Sequence, residues 1–405
     1  MRHRYPVAMQ ATLPPPDADA AAHSARLGQF IRQRVIAAAG SIPFWQFMQL
    51  ALYAPGLGYY SAGATKFGEA GDFVTAPELG PLFAACVADA LSPVLRELGP
   101  QAQVLEIGGG SGAFAETCLS KLLAADALPE RYLILEPSAD LRERQRERLQ
   151  ATLPPLLLEL VEWLDAPPDE AWDGVVFANE VIDALPTPRF AILDGEVMEE
   201  HVALDGEGRF IATLRPADPL LAAAVRHVQS QLDAPWPDGY RSELLVQLPY
   251  WLQAVIGPLR DGALLIADYG YPRAEYYRPE RDDGTLRAFR RHHLVGDVFA
   301  WPGLQDITAS VDFTALAEAG TSAGFDLAGY ASQGGFLLGN RLAENLALAQ
   351  ERAPGDAARH ALAQQAKRLT LPNEMGERFQ LMGFQRGRAT ALALAFASHD
   401  LSHRL

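Results

Sequence analysis

The stretch QVLEIGGGSGAFAETCLSKLLA, residues 103–124, constrains this 405-residue chain more than any other. It reads as a short apolar strand, a glycine turn and a helix. Gly108, Gly110 and Gly112 let the backbone turn tightly and come close to a ligand. YLILEP (132–137) supplies a second strand, and SADLRERQRERLQATL a charged helix capped by Ser138. LLLELVEWL and GVVFAN give a third and a fourth strand, and ALLIADYG a fifth. Strands of about five residues alternating with helices imply parallel βαβ units in an α/β, Rossmann-like doubly wound sheet.

Around that core the pattern changes. Residues 1–25 read as a disordered arm, and 26–98 as an N-terminal helical extension with a lid loop. The core covers 99–187 and 244–340. Between its halves, 188–243 reads as an inserted subdomain: 188–214 alternates apolar and polar residues with two DG turns, a β-meander, and helical segments follow. The stretch 271–312 is polar and long enough to read as a functional or disordered loop. DLAGYASQGGFLLG reads as two final strands forming an antiparallel edge pair, and 341–405 as C-terminal helices.

Charge narrows the function. A net charge of −16 argues against nucleic acid as the partner. No run of 18 apolar residues predicts a membrane span. Cys86 and Cys118 have no CxxC spacing and the nine histidines form no HxxxH or HxH pair, so neither a disulfide framework nor a metal site is expected. The alanine-rich composition fits a bacterial chain working in the cytoplasm, with the mitochondrial matrix as the location for a eukaryotic one. The oligomeric state is open, a homodimer included.

The glycine loop lacks the Lys-Ser/Thr of a phosphate-binding P-loop. Glu106, two residues before the first glycine, disfavours a pyrophosphate and favours a sulfonium or an α-amino group. The cofactor expected is therefore S-adenosyl-L-methionine. Glu136, at the end of the second strand, is positioned to take both ribose hydroxyls. Glu162 is a candidate acceptor for the adenine amino group and Trp163 a candidate stacking partner; a surface acid and a core tryptophan explain the same residues. Thr75, in GDFVTAPE with Asp72 and Glu78, is a candidate lid contact or part of a capping loop.

FANEVIDALP (177–186) releases Asn179, Glu180 and Asp183 at the end of the fourth strand. If the chain turns helically there, Glu180 and Asp183 share a face. Two acids on one face can grip a guanidinium in a bidentate fork. A helix capped by Asn179, with acids at its N-terminal dipole, explains the same residues.

FMQLALYAPGLGYY, GDFVTAPELGPLF, VLEIGGGSGAF, FANEVIDALP, LIADYG and QDITASVDFTAL occur in this order, and SQGGFLL and NEMGERFQLMGF extend the series. Together they resemble the MidA-like family, S-adenosylmethionine-dependent methyltransferases that include the mitochondrial complex I assembly arginine methyltransferase. The resemblance spans residues 40–390. It implies a class I methyltransferase fold, cofactor contacts from Gly108, Gly110 and Glu136, and an arginine of a protein partner, in the mitochondrial member a complex I subunit, as methyl acceptor. A small-molecule methyltransferase and a non-catalytic assembly chaperone are the rival readings.

Overall fold

A computed structural model describes residues 15–61, 75–291 and 293–405. Asp72 and His292 lie outside the described residues. The chain divides into two compact units: one contains residues 1–73, 184–246 and 277–309, the other 74–183, 247–276 and 310–405.

The second unit carries the predicted sheet. Its strands are β1 (Gln103–Ile107), β2 (Tyr132–Leu135), β3 (Val161–Leu164), β4 (Trp172–Asn179), β5 (Leu259–Tyr271), β6 (Asp326–Ser332) and β7 (Phe379–Arg386), in the spatial order β3-β2-β1-β4-β5-β7-β6. Strands β1 to β5 are parallel and β7 is antiparallel to both its neighbours. Runs such as Val175–Ala178 and Ala263–Ala267 are buried throughout, as strands covered on both faces require. Helices α1 (Leu82–Leu98), α2 (Ala113–Ala124) and α3 (Ala139–Thr152) belong to this unit. Ser138 caps α3 by accepting the Leu141 N–H. The order of connection reverses between β1 and β4, and in such sheets ligands bind at the strand C-termini beside that point.

Two expectations about this unit give way. SQGGFLLG does not pair with β6: Gln333–Gly339 is a helix, started by Ser332, whose hydroxyl accepts the Gly335 N–H. The antiparallel partner is β7, drawn from the stretch expected to be helical. It inserts between β5 and β6, with Leu264 beside Phe384 and Tyr330 beside Met382. Its consecutive buried residues, Leu381, Met382 and Phe384 among them, suit a strand flanked on both sides.

In the first unit, helix Ala18–Ala37 begins inside the stretch read as an arm, because Asp17 caps it by accepting the Ala20 N–H. The meander forms as expected: Arg189–Leu193, Glu196–Leu204 and Phe210–Pro216 pair antiparallel, joined first by Asp194-Gly195, both at positive φ. Arg189 is buried and pairs with Glu200 (3.0 Å), Glu243 (3.1 Å) and Asp283 (2.9 Å). The stretch expected as a long loop contains a three-stranded antiparallel sheet, Arg287–Arg290, His293–Val295 and Asp306–Thr308. Ala288 and Ile307, adjacent in register, point into the core and give it a reason to fold.

Candidate active site

The glycine loop joins β1 to α2. Gly108, Gly110 and Gly112 take φ of +68°, +53° and +84°, the left-handed region that favours glycine. A Cβ on Gly110 would meet nothing within 4 Å, whereas one on Gly109 would lie 2.8 Å from Ile134 Cγ2. The loop is thus packed on one side and open at Gly110.

Two buried acids flank it. Glu106 accepts a hydrogen bond from the Tyr132 hydroxyl at 2.7 Å. Burial pushes its carboxyl up to about 7, the Tyr132 bond opposes this, and the charge of Glu136 adds to it. Glu136 directly follows β2 and accepts the Ser138 N–H at 3.0 Å and the Gln145 amide at 3.4 Å. Trp163 donates its indole N–H to Gln145 Oε1 at 2.8 Å, and Arg146 lies over its ring at 4.8 Å. Glu162 is held elsewhere: its exposed carboxylate pairs with Arg131 through Nε at 2.8 Å and through Nη2. Thr75 is buried at the start of the short helix Ala76–Leu79. From that helix Glu78 accepts the hydroxyl of Ser111, a loop residue that Arg148 also contacts at 3.1 Å.

The chain after β4 does not turn helically. Glu180 adopts φ +54° and its N–H bonds the Ala267 carbonyl at 2.9 Å. The next N–H groups, those of Ile182 and Asp183, donate to Asp268 Oδ2 at 3.0 and 3.3 Å instead of continuing a helix. Asn179 therefore caps nothing. Its amide donates to Glu180 Oε1 at 3.2 Å, while its Oδ1 is buried with no hydrogen-bond partner among the described residues.

Ala267 lies beside Asn179 in register, so Asp268 emerges directly next to this turn. Asp183 and Asp268 are buried and Glu180 is half-buried. Burial holds the Asp268 carboxyl well above the usual carboxylate range, and the charges of Asp183 and Glu180 raise it further. Three acids thus lie near one another at the ends of β4 and β5, with both oxygens of Asp268 accepting backbone N–H groups. This cluster adjoins the glycine loop: a Cβ on Gly108 would lie 3.2 Å from Val181. Sequence reasoning missed Tyr132 and Gln145. Gln145 had a signal, a polar residue between Leu141 and Leu149 in the buried stripe of α3. Among the described residues no group of three His, Cys, Asp or Glu side chains is arranged to hold a metal ion, and no helix is long and apolar enough to cross a membrane.

Residues 86–331 match the model of an S-adenosyl-L-methionine-dependent methyltransferase family. The chain belongs to this family. S-adenosyl-L-methionine is its cofactor, and the fold is that of a class I methyltransferase. A superfamily member from Burkholderia thailandensis, solved with S-adenosylhomocysteine bound, is 42% identical, with a TM-score of 0.89 over 97% of this chain and 100% of that one. The mitochondrial protein arginine methyltransferase NDUFAF7 homolog of Drosophila melanogaster is 30% identical over 91% of this chain and 87% of its own length. NDUFAF7 of Mus musculus, also named a mitochondrial protein arginine methyltransferase, is 27% identical over 85% and 81%. The methyltransferase's own residues fit the cofactor: an open backbone at Gly110, flanked by two buried acids, Glu106 and Glu136.

Proposed function

We propose that this methyltransferase methylates an arginine side chain of a protein partner. The observation that carries the reading is the convergence of Glu180, Asp183 and Asp268 beside the glycine loop. The names of the fly and mouse relatives support it. The motif series seen in the sequence points to a respiratory complex I subunit as the acceptor.

In this reading Gly108, Gly110 and Gly112 bring backbone against the cofactor, Glu106 faces its positive charge and Glu136 its ribose. Trp163 lies along the adenine and Thr75 belongs to the cover. We leave Glu162 out of the adenine site, since Arg131 engages its carboxylate. When bound, the cofactor supplies an electrophilic methyl carbon on a sulfonium. Glu180 takes the acceptor guanidinium and Asp183 supports it, which localises the nitrogen lone pair and aligns it for in-line attack. Asn179 braces Glu180 through its amide and offers Oδ1 to a guanidinium N–H.

The test is mass spectrometry of methylarginine in cell extracts with and without the protein. A methylarginine peptide that disappears with the gene and returns with wild type, but not with Glu180→Gln, is the expected result. Loss of a methylated small molecule instead, with no peptide changed, would overturn the protein-arginine reading. Full rescue of a null phenotype by a transfer-dead variant would mark the protein's role as that of a chaperone.

A further inference from the structure

The buried stripe of α3 runs Leu141, Gln145, Leu149. The Gln145 side chain is fully buried, in a position where a leucine would complete the apolar stripe. Burying an amide there costs free energy unless its hydrogen bonds are made.

They are made, and to three parts of one site. Gln145 Nε2 donates to the Gly110 carbonyl at 3.0 Å and to Glu136 Oε2 at 3.4 Å. Its Oε1 accepts the Trp163 indole N–H at 2.8 Å. Only one amide orientation serves all three, because the carbonyl and carboxylate need a donor and the indole needs an acceptor. The glycine loop also packs on this side chain: a Cβ on Gly109 would lie 3.2 Å from Nε2, and one on Gly112 3.6 Å from the Gln145 Cβ.

We propose that Gln145 is a positioning residue for the cofactor, setting the glycine loop, the ribose acid and the adenine-side tryptophan relative to one another through a single amide. The proposal rests on the cofactor contacts described under the proposed function. It explains why α3, otherwise charged and exposed, keeps one uncharged polar group at its buried centre.

The variants Gln145→Leu and Gln145→Glu test it. Gln145→Leu completes the apolar stripe but leaves the Trp163 indole N–H, the Gly110 carbonyl and the Glu136 carboxylate without this partner, so the variant should fold with a Tm lowered by a few degrees, while S-adenosylhomocysteine affinity measured by calorimetry falls about tenfold or more. Gln145→Glu keeps the shape but sets an oxygen against the Gly110 carbonyl and the Glu136 carboxylate. Its affinity relative to wild type should be lowest at pH 8 and recover towards pH 5.5 as the introduced carboxyl protonates. A folded Gln145→Leu with wild-type affinity, or a Gln145→Glu deficit that does not change with pH, would overturn the proposal. Gly110→Val separates the two readings. If it binds S-adenosylhomocysteine like wild type, the cofactor placement fails; if it does not bind while Gln145→Leu does, only the role of Gln145 fails.

Discussion

Asp268 Oδ2 accepts the backbone N–H of Asp183 at 3.3 Å, so one acid of the cluster holds the chain that carries another. The two carboxylates repel, yet the backbone bond ties them together. That arrangement suits a site completed by a cation from outside.

Binding of an arginine-bearing peptide should therefore release protons. Asp268 sits well above the usual carboxylate range in the free protein, and an incoming guanidinium favours its ionised form. Peptide affinity should rise with pH, and calorimetric heats should vary with the ionisation enthalpy of the buffer. Heats that are the same in every buffer would argue that the cation does not meet this cluster.

Glu106 makes the stability of the unliganded protein fall with rising pH. Its carboxyl goes from an ordinary value of 4.5 to about 7 on folding. The folded state holds this proton more tightly, so the advantage is complete below about pH 4.5 and is lost as pH rises through about 7. The loss from this group is on the order of 3 kcal/mol. Glu106→Gln should flatten the profile of Tm against pH between 5 and 8.

The same group should set the pH dependence of cofactor binding if it faces the cofactor's positive charge. A sulfonium or ammonium near Glu106 needs the ionised carboxylate, so affinity should climb with pH up to about 7 and then level off. Titrations from pH 5.5 to 8.5 check this, and in Glu106→Gln the rise should be absent.

Gly110→Val should fold but fail to bind. Its φ of +53° costs a β-branched residue roughly 1–2 kcal/mol. The added side chain would enter the open space beside the loop. We expect a modest drop in Tm and a loss of S-adenosylhomocysteine affinity of about 100-fold or more.

Glu180 should separate stability from catalysis. Glu180→Gln should leave cofactor affinity intact and lower kcat by about 100-fold. Glu180→Gly should relieve the φ of +54°, stabilise the fold by about 1 kcal/mol and abolish transfer. Turnover unchanged in Glu180→Gln would remove this residue from the reaction.

Much of the sheet was legible because β1, β2, β4 and β5 are short apolar runs with glycines or acids at their ends. The β7 position was not, since FQLMGFQR follows polar helical sequence and pairs with a strand more than a hundred residues earlier. SQGGFLLG is short enough to suit strand or helix, and only the Ser332 cap distinguishes them. At the site, the acids were visible but their geometry was not. A left-handed glutamate leaves no sequence mark, and the bond from Asp183 to Asp268 spans 85 residues.

The insertion of β7 between β5 and β6 bears on how the enzyme is made. β5 (Leu259–Tyr271) is the strand beside the acid cluster, and on one side its residues Gly262–Tyr269 wait for Phe379–Arg386. During synthesis the chain emerges N-terminus first, so this edge stays bare until Phe379–Arg386, more than a hundred residues further on, has left the ribosome. The nascent protein therefore carries an unpaired, apolar strand edge while the residues between the two strands are made, the kind of surface that chaperones cover. The sheet beneath the ends of β4 and β5 is complete only once Phe379–Arg386 has closed that gap.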